Sequence, residues 1–230
     1  MEIKCHVCGN SIEGKYRIDR YKNCVCSNHL NTPTCFCCGR FCNDSAKSVS
    51  PNLKVCITCQ KKRIESDSAA RMLPFVYKVY GNLGFRLPGY KIKLISVSEM
   101  QALCNSDGDS FPLGLAQKKG EEYTINVIHD LSRIKFVDVI AHEILHTWQW
   151  ERFIDPPDII CEGFCNFGSY LVLKELMKQH PTEETDMALW ALMKNPDEVY
   201  GDGFREIRDI YDIRGFKAVI EFVKQWKIIQ

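Results

Sequence analysis

Long apolar runs are missing from this chain of 230 residues: no stretch of about eighteen or more apolar side chains occurs, which leaves no candidate for a membrane-spanning helix. Excess charge of one sign is missing too, with 30 basic side chains against 29 acidic ones. That balance gives no polyelectrolyte signature, so neither nucleic acid nor an anionic membrane is an implied partner. The opening MEIKCHVCGN lacks a basic segment followed by an apolar run, and the expectation is a soluble, cytoplasmic protein. Histidine is scarce at six residues, so a spaced pair of them carries information.

Cysteine is what the chain has in quantity. Ten of its 13 cysteines fall in the first 59 residues, and only Cys104, Cys161 and Cys165 lie beyond. So short a segment cannot bury enough apolar surface to hold itself together, and it needs cross-links or metal. A reducing compartment and an odd total favour zinc over disulfides. The spacing Cys5-x2-Cys8, 17 residues, Cys26-x2-His29 is repeated as Cys35-x2-Cys38, 17 residues, Cys56-x2-Cys59. Two intervening residues let both sulfurs of a tight turn face one ion, with Gly9 and Gly39 just after, and each excursion is expected to be a hairpin that returns the second pair. Four protein ligands close a tetrahedral shell, so both zinc ions would be structural. Cys24 could replace Cys26, and Cys37 or Cys42 could replace Cys38. Otherwise Cys24, Cys37 and Cys42 are read as small buried residues or spare thiols.

This segment resembles a LIM domain, a tandem zinc module that binds protein partners. It departs from the pattern in running Cys then His at the end of the first site, and in the longer bridge from Leu30 to Thr34 between the sites. The resemblance leaves room for a protein partner on the module without specifying one.

After Cys59 the composition shifts. The polar run Lys61 to Ser68 reads as a linker or first helical turn. Met72, Phe75, Val76, Val79 and Tyr80 then recur at helical spacing before Gly81 and Gly84, with Pro74 expected to weaken or kink the helix. YKIKLISVS, PLGLAQ and EEYTINVIH read as strands. Strands followed by helices give an α+β class, with a zinc module over residues 1–62 and a second domain over 63–230. FKAVIEFVKQWKIIQ reads as a closing amphipathic helix, and His129 and His180 fall outside any ligand spacing.

The second domain contains VIAHEILHTW. In a helix His142 and His146 lie one turn apart on one face, where both imidazoles can reach one ion, while Glu143 projects beside them. A buried histidine is more often a satisfied core residue than a ligand. Here the surrounding Phe136, Val137, Ile140, Ile144 and Leu145 would bury the helix, and imidazoles buried without partners would be costly. Catalytic zinc takes three protein ligands and keeps one position open. Pro156 and Pro157 should end the helix near Asp155, and Glu162 on the next helix is the third ligand expected, ahead of Glu151, Asp155 and Asp158. Asn166, one turn further, is placed to orient a ligating histidine.

AHEILHTW, CEGFCNF and YGDGFR together resemble the peptidase domain of the LIM-containing, ubiquitin-activated zinc metallopeptidases known as plant organ-size regulators, and their bacterial relatives. The resemblance covers nearly the whole chain and implies a gluzincin-like domain. In it His142, His146 and Glu162 bind a catalytic zinc and Glu143 is the base. Family members commonly have an acid where this chain has Cys161, and plant members have ubiquitin-interacting motifs ahead of the LIM domain, so ubiquitin dependence is not carried over. The expected activity is hydrolysis of a protein or peptide substrate, with zinc activating water and Glu143 moving its proton. Tyr200 and Arg205 are candidate oxyanion donors, because glycines beside them could let that loop approach the cleft. The strand Leu113 to Gln117 could offer its edge to an extended substrate. The competing expectation is a catalytically silent zinc scaffold that binds protein partners, although a structural site has no use for a base beside the metal.

Overall fold

Each Cys-x2-Cys pair opens a tight turn that closes on the glycine behind it. Gly9 donates its N–H to the Cys5 carbonyl at 2.8 Å, and Gly39 does the same to Cys35 at 2.7 Å. Both glycines have positive φ, 74° and 76°, a region open to glycine without steric cost. The chain then runs out and back as a short antiparallel hairpin, β1 (Tyr16–Ile18) with β2 (Cys24–Cys26) in the first repeat and β3 (Lys47–Ser48) with β4 (Lys54–Val55) in the second. The first repeat closes on a 3-10 turn at Ser27–His29, the second on helix α1 (Ile57–Lys61). The computed structural model describes residues 2–51, 53–106 and 111–228.

Beyond residue 64 lies the main core. Helix α2 (Ser66–Asn82) starts at a capping box of Glu65 and Ser68 and runs through Pro74 without ending there. Strand β5 (Tyr90–Ile95), helix α3 (Val97–Leu103) and strands β6 (Gly114–Lys119) and β7 (Glu122–Ile128) follow. The sheet order is β5-β7-β6, with β5 parallel and β6 antiparallel to the central β7, so β6 is an edge strand. Among the described residues four α-helices follow: α4 (Arg133–Glu151), α5 (Asp158–Gln179), α6 (Glu183–Met193) and α7 (Gly203–Val223), with a π turn at Glu198–Asp202 leading into α7. The architecture is mixed α+β with cysteine-rich clusters at the N-terminal end.

Core residues cover helix α4 on most sides, with Phe136, Ile140, Ile144 and Leu145 fully buried. Its N-terminus is capped by Ser132, whose hydroxyl accepts the Lys135 N–H. It ends at Glu151 rather than near Asp155. Phe153 turns to φ 55°, and the Ile154 N–H returns to the Gln149 carbonyl, which closes the helix before the prolines. The closing helix also differs from expectation. Helix α7 begins upstream at Gly203 and breaks at Gly215, whose φ of 79° lies outside the helical region, before FKAVIEFV resumes the helix. No helix among the described residues is long and apolar enough to cross a membrane.

The N-terminal segment is fastened to the start of α4. Ile64 N–H donates to the Leu131 carbonyl at 2.8 Å and Arg133 N–H to the Lys62 carbonyl at 3.0 Å. The Lys47 ammonium reaches the Asp130 carboxylate at 2.7 Å, and the Cys37 thiol faces the Asp130 carbonyl. Phe36 and Cys37, although they lie in the second Cys turn, pack against the main core.

Candidate metal centres and the cleft beside them

Donor atoms converge in three places, the third holding two overlapping sets, His142–His146–Cys165 and His146–Cys161–Glu162. In the first, the Sγ of Cys5, Cys8 and Cys26 and a ring nitrogen of His29 lie within 4.8 Å of one another, with Cys26 Sγ 3.2 Å and Cys5 Sγ 3.7 Å from His29 Nδ1. In the second, Cys35, Cys38, Cys56 and Cys59 do the same, and Cys38 and Cys56 sulfurs are 3.8 Å apart. A tetrahedron with metal–sulfur bonds of about 2.3 Å has edges of about 3.8 Å, so this spacing suits zinc-sized coordination. Cys24, Cys37 and Cys42 stand outside both groups. Cys24 faces the Lys22 carbonyl, Cys37 points to Asp130, and Cys42 is buried.

Crowding sets the protonation of these thiols. Burial pushes the Cys5 thiol up, but backbone N–H groups of Cys8, Cys26 and Val7 outweigh it and hold Cys5 at about 6. In the all-cysteine group, hydrogen bonds from its neighbours pull Cys35 far down and leave Cys56 at about 7, while Cys38 and Cys59 are pushed far up. Negative charge on Cys35 and Cys56 holds the protons on Cys38 and Cys59, and a cation removes that restraint.

The third group lies where α4 and α5 cross. His142 Nε2 and His146 Nε2 are 3.1 Å apart, and Glu162 Oε2 is 3.0 Å from the first and 3.6 Å from the second. Donors at bond lengths of about 2.0–2.2 Å around a tetrahedral ion would be about 3.3–3.6 Å apart. The tautomers supply the stronger argument. Asn166 Nδ2 donates to the Tyr200 carbonyl at 2.8 Å, which leaves its Oδ1, 2.9 Å from His142 Nδ1, to accept that ring's N–H. His142 Nε2 therefore presents a lone pair. His146 Nδ1 faces the sulfurs of Cys165 and Cys161 at 3.5 and 3.7 Å, and both thiols are within reach of Gln149 Oε1 as donors. Glu162 Oε2 is buried without a hydrogen bond of acceptable geometry. Three electron-pair donors aimed at one point need a cation between them, a proton or a metal ion.

In the metal-free protein a proton takes the place of a metal ion: the Cys165 thiol, with His146, holds the Cys161 thiol at about 5 against burial, and the His146 ring carries the positive charge. Burial opposes the charged form of His146, yet hydrogen bonds to the Cys161 thiol and Glu162, with the nearby carboxylates, raise it to about 10. Burial likewise raises Glu162, but His142 and His146 override it and hold the carboxyl at about 2. The rival acid Glu151 is bonded to the Tyr123 hydroxyl at 2.9 Å instead.

Glu143 is almost fully buried beside the group, and its Oε2 accepts the Ala116 N–H of β6 at 2.7 Å. The strand can come this close because residue 114 is glycine: a Cβ there would lie 2.5 Å from Val139 Cγ1 and 2.8 Å from Glu143 Cγ. A second close approach brings Tyr200 in. A Cβ on Gly163 of α5 would lie 2.3 Å from the Gly203 carbonyl carbon, and one on Gly203 would lie 2.0 Å from the Ile159 carbonyl oxygen. Two glycines thus let the start of α7 rest on the backbone of α5. The Tyr200 ring then stands 6.3 Å from that of His142, and burial with nearby Glu162 and Glu143 pushes its hydroxyl up to about 12. Arg205 is committed elsewhere, to the Asp202 carboxylate and the Asn195 carbonyl, so it fastens this loop. Gly114, Gly163 and the Ala116 N–H have no periodicity or spacing that marks them; only Gly163, inside a helix, stands out in the sequence as a residue needing a packing reason.

A cleft of about 800 Å³ opens in front of His142 and Glu143. One side is formed by Gly114, Asn166 and Tyr200, another by α6, and the remaining side by residues of the N-terminal segment, including Ile18 and Phe36.

The fold and donor sets define a mixed α+β protein whose four-cysteine and mixed cysteine–histidine clusters can hold metal ions such as zinc. No protein-family model matches the chain, and neither the curated proteins nor the solved structures contain a match to it.

Proposed function

We propose that this chain is a zinc-dependent peptidase of the HExxH-plus-glutamate, gluzincin-like kind, with a LIM-like module over residues 1–62 that holds two structural zinc ions. The observation that carries the reading is the convergence of His142 Nε2, His146 Nε2 and Glu162 Oε2 beside the buried Glu143, with His142 and Glu143 lining an open cleft. Zinc held by those donors would polarise a scissile carbonyl and bring the pKa of a water toward neutrality. Glu143, its carboxylate steadied by the Ala116 N–H, accepts a proton from the attacking water and returns it to the leaving amine. Tyr200 keeps its proton at neutral pH and is the donor for the developing oxyanion. Asn166 holds the His142 ring. Arg205 and Asp202 keep the loop that carries Tyr200 in place. The outer edge of β6, where it is not taken by the Ala116 N–H bond to Glu143, takes an extended substrate as an added strand.

Metal content and cleavage test this together. The wild type is expected to bind three zinc ions and the His142→Ala/His146→Ala variant two. Glu143→Gln should keep all three and lose cleavage of a peptide pool. Cleavage by Glu143→Gln at the wild-type rate would remove the assigned base. Two zinc ions in both proteins would leave the silent scaffold as the better reading.

A further inference from the structure

We infer that the N-terminal zinc module is itself a wall of the substrate site, and that the cleft selects a polypeptide segment by a bulky apolar side chain packed against Phe36. The inference takes the occupant from the peptidase reading and adds its class and the residue that reads it. The cleft volume lies in the range of about 300–1,000 Å³ typical of built ligand sites. Its lining joins two parts of the chain: His142 and Glu143 share it with Phe36 and Ile18 from the module and with Leu113, Ile134 and Ala188 from the second domain. Phe36, Leu113, Ile134 and Ala188 are only partly buried, and all pack against the main core. They form an apolar surface continuous with the core and open toward the catalytic side chains.

Three acids of the lining are taken up within the protein. Asp19 accepts the N–H groups of Tyr21, Asn23 and Phe41, Asp138 is held by Lys135 at 2.7 Å, and Glu184 by Lys62. These acids are occupied within the protein. The guanidinium of Arg20 lies over the Trp190 ring, which joins the module to α6 across the cleft.

Phe36 is also fixed in place. It follows Cys35 directly, its N–H donates to the Lys54 carbonyl at 3.1 Å, and its neighbour Cys37 contacts Asp130 two residues before the Ser132 cap of α4. A flexibly tethered recruitment domain has no such fastening. A substrate strand laid along β6 sends alternate side chains to opposite faces, so every second one is directed toward this wall.

The test uses the full chain, loaded with zinc and carrying Glu143→Gln, immobilised and exposed to a randomised pool of blocked octapeptides. Retained peptides are read by mass spectrometry. Enrichment of Phe, Leu, Met or Trp at one position is expected, falling about tenfold in Phe36→Ala, in line with loss of one buried side-chain contact. Because Phe36 also packs within the module, Ala188→Trp provides a second variant that fills the cleft from α6, and it should lower the same enrichment. No retention, retention without apolar preference, or a preference unchanged in both variants would overturn the inference. Cleavage of the same pool by the wild type reads the peptidase proposal separately: apolar-selective retention without cleavage supports the wall and removes the peptidase. Cleavage without apolar selectivity does the reverse.

Discussion

The orientation of His142 begins at a backbone carbonyl in another element. The Tyr200 carbonyl takes the Asn166 amide hydrogen, the Asn166 oxygen takes the His142 Nδ1 hydrogen, and Nε2 is left to face the point it shares with His146 and Glu162. Removing the middle link frees the ring to rotate and to change tautomer. Asn166→Ala is therefore expected to weaken metal binding at this site by about 10–100-fold while the fold persists. Titration against a chelating dye measures it, and an unchanged affinity would show that the ring is held by packing alone. Protons compete for the same donors. In the chelated protein, His146, raised from 6.5 to about 10, contributes stability that is complete below 6.5 and lost as pH rises toward 10. Glu162, lowered from 4.5 to about 2, contributes stability that is present above 4.5 and lost as pH falls toward 2. The chelated protein should lose stability from this pair above about pH 6.5, whereas a bound cation gains affinity as His146 sheds its proton. The melting-temperature gap between metal-loaded and chelated protein should widen from about pH 6 to about pH 9, and a constant gap would contradict the linkage.

At the scale of elements, the site depends on two backbone contacts made by glycines. Gly163 and Gly203 let the start of α7 lie on α5, and Gly114 lets β6 lie on α4 beside Glu143. Gly203→Ala puts a methyl 2.0 Å from the Ile159 carbonyl, and backbone cannot yield as a side-chain tip can. The expected cost is about 1–3 kcal/mol of stability, with Tyr200 displaced and cleavage reduced more than metal binding. A variant that melts and cleaves like the wild type would show that the crossing relaxes freely. Helix α4 was legible in the sequence because apolar residues at helical spacing surround AHEILH, and Glu162 because two prolines force a reversal at a readable distance. The contacts at Gly114 and Gly163 were not legible. A glycine's tolerance for close approach acquires meaning only when the facing backbone is known. The same holds for the early end of α4 at Glu151, which is set by Phe153 at positive φ and not by the prolines.

For the whole molecule, the question is how the cysteine-rich segment depends on the rest. Its repeated spacing was plain from the sequence, but its place against the cleft was not. The joining contacts are made by residues such as Lys47, Asp130, Arg40 and Glu183, which look like ordinary surface charges. The dependence is uneven. The segment has two small clusters built largely of cysteines, together with Val25, Phe41 and Val55, and these cannot offset chain entropy without metal. The buried members of the main core run from Ile64 to Val223, and among the described residues of the segment Phe36 and Cys37 are the hydrophobic side chains that pack onto it. Cys35→Ser should therefore lower zinc content by one and make residues up to about 60 sensitive to limited proteolysis. The remainder should still melt cooperatively, a few degrees lower because Phe36 and the Asp130 contacts are lost. Because Phe36 also lines the cleft, peptide retention should fall in the same variant even though His142, His146 and Glu162 are untouched. Full proteolytic resistance of the segment would contradict its dependence on metal, and full peptide retention after its unfolding would contradict its place as part of the site.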